Sequence, residues 1–426
     1  MGLERAATLG PLRWLRLLGP SVGFYLLAVT LVGFVVDGGV FAVLLNLYLL
    51  RLKYGPEQIG LVNAAGTLTF ALASLPAGAL GSRFGSRPLL LLGVGLLLGG
   101  CALVPLTDLL PAQLWLPWLI GSNMLLYLGL SLFFVNTAPF LLGAVDPERR
   151  TQVFAFQTAL LSLAAFVGSL VGGTLPPLFA VMLGGNLSQP APFRYALLVA
   201  AIALVPAMLA LRAARPVANG DSAHDLPRAP GVGNIARPIL GLVALIAVVR
   251  VLQLAGLAAT STFFNVYLDT ALLVPTAQIG LIIAVGRLLG VPAALATSAL
   301  TARFGNRNVV IISSVASAVS LLPLALIPHW SAAGLSFIGL IGFSWIRYAS
   351  SIVFYLELVP PTRRALVSGI TEMAGGICFT LITFGGGFLI ARSGYQTFFL
   401  LAAAVTGISA LVFWLGFRGR EPYVER

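Results

Sequence analysis

Five ionisable side chains stand deep inside long apolar stretches of the 426-residue chain: Asp37, Arg250, Arg287, Arg347 and Glu372. At the centre of a membrane helix, each charge costs about 2.5–3.5 kcal/mol on insertion scales. Left unpaired, the five would cost on the order of 15 kcal/mol, comparable with the whole stability of a domain. They must therefore pair, face a wet cavity, or do both. Three arginines against two ionised acids leave one positive charge, which an anionic solute group would neutralise. A carboxylate at this depth can take a proton from either side of a membrane, and Asp37 is the only such acid in the N-terminal half. The competing reading is a purely structural network of buried ion pairs.

Other chemistry finds little support. Gly19-Pro20-Ser21-Val22-Gly23 matches the nucleophile elbow of hydrolases, but no strand precedes it, and the two histidines, His224 and His329, lie in a linker and a loop. The two cysteines, Cys101 and Cys378, sit far apart in apolar segments with no metal or redox spacing and read as packed thiols. No phosphate-binding Walker loop is present, so direct drive by ATP is not expected, nor is any cofactor or metal. Asn186-Leu187-Ser188 is a formal glycosylation sequon.

The elements that carry these charges follow from composition. Hydrophobic residues make up 59% of the chain and charged residues 9%, too few charges to cover a water-soluble surface. The formal net charge is +12, but the arginines stand singly or in pairs between apolar runs, which marks membrane topology rather than nucleic-acid binding. A span takes about 20 apolar residues. Such runs fall at 21–50, 57–81, 88–107, 113–142, 151–182 and 193–211, and again at 238–268, 276–300, 308–328, 331–359, 362–391 and 395–417. The first run is too long for a removable leader and is read as a span that stays.

Basic residues cluster on one side of these spans: Arg5, Arg13 and Arg16 at the start, Arg83, Arg87, Arg149, Arg150, Arg303, Arg307, Arg363 and Arg364 in alternate loops, and others in the linker and tail. Arg51, Lys53, Arg194 and Arg392 fall on the other side. That asymmetry predicts cytoplasmic termini in the cell's inner or plasma membrane. The organisation expected is an N-terminal bundle over 1–212, a polar linker over 213–237 and a C-terminal bundle over 238–426.

The two halves resemble each other. Gln58-Ile59-Gly60-Leu61 recurs as Gln278-Ile279-Gly280-Leu281, and Arg83-Phe84-Gly85-Ser86-Arg87 as Arg303-Phe304-Gly305-Asn306-Arg307. Asn46-Leu47-Tyr48-Leu49 recurs as Asn265-Val266-Tyr267-Leu268, and Pro147-Glu148-Arg149-Arg150 as Pro361-Thr362-Arg363-Arg364. A parallel repeat of six spans is the pattern of transporters whose halves rock about a site near the midplane. At the repeat offset Asp37 falls on Gly256 and Arg250 on Leu31, so loop features repeat while the mid-membrane charges do not.

The loop from Gly78 through Arg83 and Gly85 to Arg87, with its copy at Arg303, Gly305 and Arg307, resembles the loop Gly-x-x-x-Asp-Arg-x-Gly-x-Arg of the major facilitator superfamily. The resemblance implies an all-α polytopic fold of twelve transmembrane helices in two pseudo-symmetric bundles. It also implies transport of a small molecule by alternating access, by a monomer with protons or another coupling ion. It places helices one, four, seven and ten around a central cavity, which makes Asp37, Arg250 and Arg347 the expected substrate or coupling residues. Arg287 and Glu372 are expected to pair between helices eight and eleven. The family's loop Asp is Ser82 in one copy and Ala302 in the other, so the cytoplasmic gate needs another acid, for which Glu357 is the candidate opposite Arg303. The branch that exports drugs against protons carries an Arg in helix four; here Trp118 to Phe140 has no charge, which weighs against that branch. Asn63, Asn123, Tyr127, Asn136, Gln157, Gln253, Asn265 and Tyr348 lie at similar depth as candidate pocket or interhelical groups. The expected solute is a small organic anion or amphiphile. The alternatives are proton-linked efflux of lipophilic compounds and a non-transporting membrane sensor.

Overall fold

A computed structural model describes residues 19–146, 149–214, 237–360 and 364–419. In chain order the helices are α1 (Gly19–Val35), α2 (Val40–Arg51), α3 (Pro56–Phe84), α4 (Ser86–Leu103), α5 (Trp115–Ala144), α6 (Arg150–Met182), α7 (Ala191–Ile202) and α8 (Val205–Ala213). There follow α9 (Arg237–Thr270), α10 (Thr276–Ser320), α11 (Leu322–Leu326), α12 (Trp330–Glu357) and α13 (Arg364–Gly416). Among the described residues, ten helical stretches are long and apolar enough to cross a membrane. Helices α10 and α13, at 45 and 53 residues, run on past one crossing and reverse at Gly305 (φ 76°) and Gly394 (φ 79°). Drawn straight they would reach about 68 and 80 Å, more than twice the hydrocarbon thickness of about 30 Å. Each therefore holds two spans, and the chain is a twelve-span bundle.

The first span differs from expectation. The sequence reads as one helix over 21–50, whereas the structure breaks it between Val35 and Val40, at Asp37-Gly38-Gly39. The connector expected at 213–237 lies outside the described residues from 215 to 236.

The repeat is written into the backbone. Gly85 (φ 88°, ψ 151°) and Gly305 (φ 76°, ψ 152°) turn the two arginine loops in one conformation, and only glycine takes that region without strain. Among the described residues, two that are not glycine have positive φ, Lys53 and Leu273, and they too are equivalent positions. The halves meet by matched contacts. Asn46 Nδ2 donates to Thr262 O at 2.7 Å, and its counterpart Asn265 Nδ2 donates to Val43 O at 2.9 Å, the carbonyl equivalent to Thr262. A Cβ added to Gly60 on α3 would stand 2.4 Å from Thr383 O on α13, and one added to Gly280 on α10 would stand 2.6 Å from Ser169 O on α6. The repeated Gln-Ile-Gly-Leu motif thus marks the two seats where one half rests on the other.

All these contacts lie toward the face opposite the arginine loops. Arg51 and Asp269 join α2 to α9 there through a bidentate pair at 2.6 and 2.8 Å, with the Arg51 guanidinium 5.0 Å from the Phe193 ring. Along α3 and α13 contact runs from Pro56 at Gly387 to Ala71 at Gly376, beyond which Leu72 and Leu75 are exposed. The contacts described between the halves are therefore gathered toward the face opposite the arginine loops.

Candidate functional site

The break in the first span is held from behind. Ser169 Oγ donates to Gly38 O at 2.6 Å, and Gly168 packs so closely that a Cβ there would stand 2.1 Å from Phe34 O. Gly38 takes φ 82°. Non-helical backbone at membrane depth is tolerated where protein covers it or where it lines a cavity. Here α6 covers one side, and the other side presents Asp37 to a central cavity of about 530 Å³. That volume suits a drug-sized solute.

Both halves build the wall. The N-terminal half contributes Asp37, Asn46, Asn63, Asn123 and Tyr127, and the C-terminal half contributes Arg250, Arg287, Tyr348 and Glu372. Between them stand apolar rings, Phe41, Phe70, Trp345 and Phe379. Asn63 Nδ2 donates to Asn46 Oδ1 at 2.8 Å, and Asn123 Nδ2 to Val62 O at 2.8 Å, so amide side chains knit α2, α3 and α5 into a rigid polar wall.

The charges arrange themselves differently from the sequence expectation. Arg250, with 5% of its side chain exposed, lies with its Cζ 4.9 Å from the centroid of the Tyr348 ring and its Nη2 4.0 Å from Glu372 Oε1. The Tyr348 hydroxyl donates to the same oxygen at 3.2 Å. Glu372 is 54% exposed, so this cluster turns its acid toward the cavity and keeps its cation in the wall. The expected pair of Arg287 with Glu372 is not formed. Arg287 instead lies on Gly38, where a Cβ would stand 2.8 Å from its Nε and 2.9 Å from its Cζ, beside Asp37. The missing side chain at Gly38 is what admits the guanidinium. Arg347, expected in the cavity wall, is 1% exposed and stands behind it, its Nη2 donating to Ser344 Oγ at 3.2 Å. Asp37, Arg250, Arg287 and Glu372 are thus brought to one cavity and Arg347 is not.

Of the polar candidates, Asn63, Asn123, Tyr127 and Tyr348 line the cavity. Asn136 instead donates to Leu132 O at 2.8 Å and Ala77 O at 3.3 Å, Gln157 accepts from the Tyr25 hydroxyl, Asn265 joins the halves, and Gln253 is buried. Sequence reasoning missed Asn46, Phe41, Phe70, Trp345 and Phe379 as lining groups. Asn46 had a signal in its repeated motif; the aromatic residues had none in so apolar a chain.

At the arginine-loop face, Arg83 and Arg303 each lie over the ring of the following Phe, at 5.2 and 5.3 Å. Arg87 Nη2 donates to Arg212 O at 2.8 Å, tying the first loop to the end of α8. Gly78 has room around it, whereas a Cβ on Gly81 would stand 1.8 Å from Asn136 Oδ1. Glu357 is exposed and makes no ion pair with Arg303, although both belong to the C-terminal half; the Arg303 guanidinium lies on the Phe304 ring instead.

Two six-span bundles around a charged central cavity, joined toward one face, define a solute transporter of the polytopic membrane class. The family model described as Major Facilitator Superfamily matches residues 26–381 and 246–426, and the chain belongs to that superfamily. Solved structures share the fold. The xylose transporter XylE from E. coli, inward open, superposes with a TM-score of 0.71 at 14% identity, over 95% of this chain and 96% of that one. The nucleoside transporter NupG gives 0.70 at 16%, over 94% and 98%, and a bacterial homolog to human lysosomal transporter Spinster 0.73 at 14%, over 96% and 98%. Among curated relatives, Methylenomycin A resistance protein of Bacillus subtilis (strain 168) is 31% identical over 109 residues, which is 25% of this chain and only 22% of that protein.

Proposed function

We propose that the chain is a proton-coupled secondary transporter of a small amphiphilic organic solute bearing an anionic group, working by alternating access. One observation carries the reading: a single cavity has Asp37 at a helix break in one half and Arg250 in the facing half. Arg250 and Arg287 offer planar donors to a carboxylate or phosphate group, and the surrounding rings take an apolar body. Asp37 takes and releases the proton. Without a proton gradient the same cavity exchanges solute passively. The arginine loops and both termini are assigned to the cytoplasm, so the conformation described faces inward, and the protein is taken to act as a monomer in the cell's inner or plasma membrane.

The test is uptake into liposomes under an imposed pH difference, beside counterflow without one. Asp37→Asn fixes the neutral form of the group, so it abolishes gradient-driven accumulation and spares counterflow. Accumulation equal to the parent's would remove Asp37 from the coupling mechanism.

A second reading is proton-linked export of lipophilic compounds. It is favoured by the exposure of Glu372 against the burial of Arg250, and by the short match to an antibiotic-resistance protein. Binding of hydrophobic cations that survives Arg250→Ala and fails in Glu372→Gln would select it.

A further inference from the structure

Behind the cavity wall lies a second polar cluster, which shares Arg250 with that wall. Arg347 and Tyr355 stand two turns apart on α12, and Arg250 and Gln253 one turn apart on α9, and all four are buried. Arg347 Nε and Nη1, Arg250 Nε, both amide atoms of Gln253 and the Tyr355 hydroxyl have no hydrogen-bond partner. Tyr355 lies beside Gln253 and within electrostatic reach of both guanidinium groups. Among the described residues no acid pairs with Arg347, and the one acid near Arg250 is 4.0 Å away and turned to the cavity.

Buried polar groups are nearly always satisfied, and a buried cation needs a counter-charge as well as hydrogen bonds. Water could meet the hydrogen bonds here but not the charge. Gln253 Oε1 is the one pure acceptor in the cluster, and the Tyr355 hydroxyl can serve it. That leaves Arg347 Nε and Nη1, Arg250 Nε and Gln253 Nε2 as unpartnered donors on α9 and α12, with the two guanidinium groups within electrostatic reach of each other. We propose that this cluster is a binding site for a small inorganic anion of chloride's size, resident behind the cavity and separate from the transported solute. The position argues against a group on the solute itself: Ser344 and Tyr348 flank Arg347 on α12 and line the cavity, whereas Arg347 does not. The inference goes beyond the proposed substrate and coupling but shares Arg250 with them, so its test is read on the resting protein without solute.

The test is thermal unfolding of the purified full chain at constant ionic strength, with sodium chloride replacing sodium gluconate. An ion bound only by the folded state raises the midpoint in a saturating manner. The expected result is a saturable rise with chloride, reproduced by bromide, and absent in Arg347→Gln. Gln253→Leu, which keeps both charges, should shift the half-saturating chloride concentration upward several-fold, and this arm holds if Arg347→Gln fails to fold. No response in the parent, or an equal response in every variant, overturns the proposal. A larger rise with acetate than with chloride also overturns it, since the site would then belong to a carboxylate-bearing solute.

Discussion

The close seats at Gly60 and Gly280 allow the balance between the two transport conformations to be set by a single methyl group. In the conformation described, a Cβ on Gly60 would stand 2.4 Å from Thr383 O, and one on Gly280 would stand 2.6 Å from both Ser169 O and Gly173 Cα. Unstrained carbon contacts lie at about 3.5–4.0 Å, so the helices must part by roughly 1 Å to admit it. Forcing atoms into a close-packed seat costs about 1–3 kcal/mol. The cost falls only on the conformation with this face closed. The gain in helix propensity from Gly to Ala, about 1 kcal/mol, applies to both conformations and cancels. A bias of about 2 kcal/mol changes the population ratio about 30-fold. Two such sites far apart add to about 4 kcal/mol, or a little under 1,000-fold. The reporter is a thiol at Ser261, which is exposed in the cavity, labelled by a membrane-impermeant maleimide from each side in turn. Cys101 and Cys378 are buried and contribute little background. In the parent, labelling should come from the arginine-loop side. Gly60→Ala and Gly280→Ala should each raise labelling from the opposite side, and the double variant more than either. A double variant that folds and shows unchanged labelling from both sides would refute the assignment of these glycines to the closed face.

Two further outcomes follow from the altered pairing and from the packing of the first arginine loop. Double-mutant cycles on binding or stability should show Arg250→Met and Glu372→Gln coupled by about 0.5–3 kcal/mol, while Arg287→Met and Glu372→Gln add; coupling in the second cycle alone would restore the pair that the structure lacks. Gly81→Ala drives a methyl into Asn136 and breaks its bonds to Ala77 O and Leu132 O, so it should destabilise by about 1–3 kcal/mol, with much of that loss recovered by Asn136→Ala. A melting temperature unchanged by Gly81→Ala would show that the loop glycine is not required by packing.

The sequence was most informative where water and lipid impose different rules. Span lengths, the arginine asymmetry and the repeat all follow from what may stand at a membrane surface, and the helices formed close to the expected bounds. Depth was legible for the same reason, since a rise of 1.5 Å per residue fixes level. It put Asp37, Arg250, Arg287, Arg347 and Glu372 near one level; four of them line one cavity, and Arg347 does not. The direction each side chain takes around its helix was not legible. A helix apolar on every side lacks the contrast between faces that orients a helix in water. Arg347 therefore looked like Arg250, although one stands behind the wall and the other in it. Arg287 was assigned to Glu372 because nothing in the sequence shows that Gly38 leaves a seat for a guanidinium. The glycine pair beside Asp37 was visible, but its consequence, a broken helix, depended on Ser169 and Gly168 arriving from α6.

The reciprocal bonds of Asn46 and Asn265 have a meaning for how such a cavity could arise. A surface that meets its own copy about a two-fold axis is the interface of a homodimer, in which every contact occurs twice. A single six-helix chain bearing this surface could pair with itself, both copies crossing the membrane in the same direction. In such a dimer, however, every charge in the cavity would also occur twice, and Asp37 would face a second Asp37. Joining the copies into one chain removes that constraint. Position 37 can be an acid while its counterpart is Gly256, and position 250 an arginine while its counterpart is Leu31. The two halves keep identical means of holding each other and divide the chemistry between them, an acid on one wall and an arginine on the other, which no symmetric pair could offer a solute.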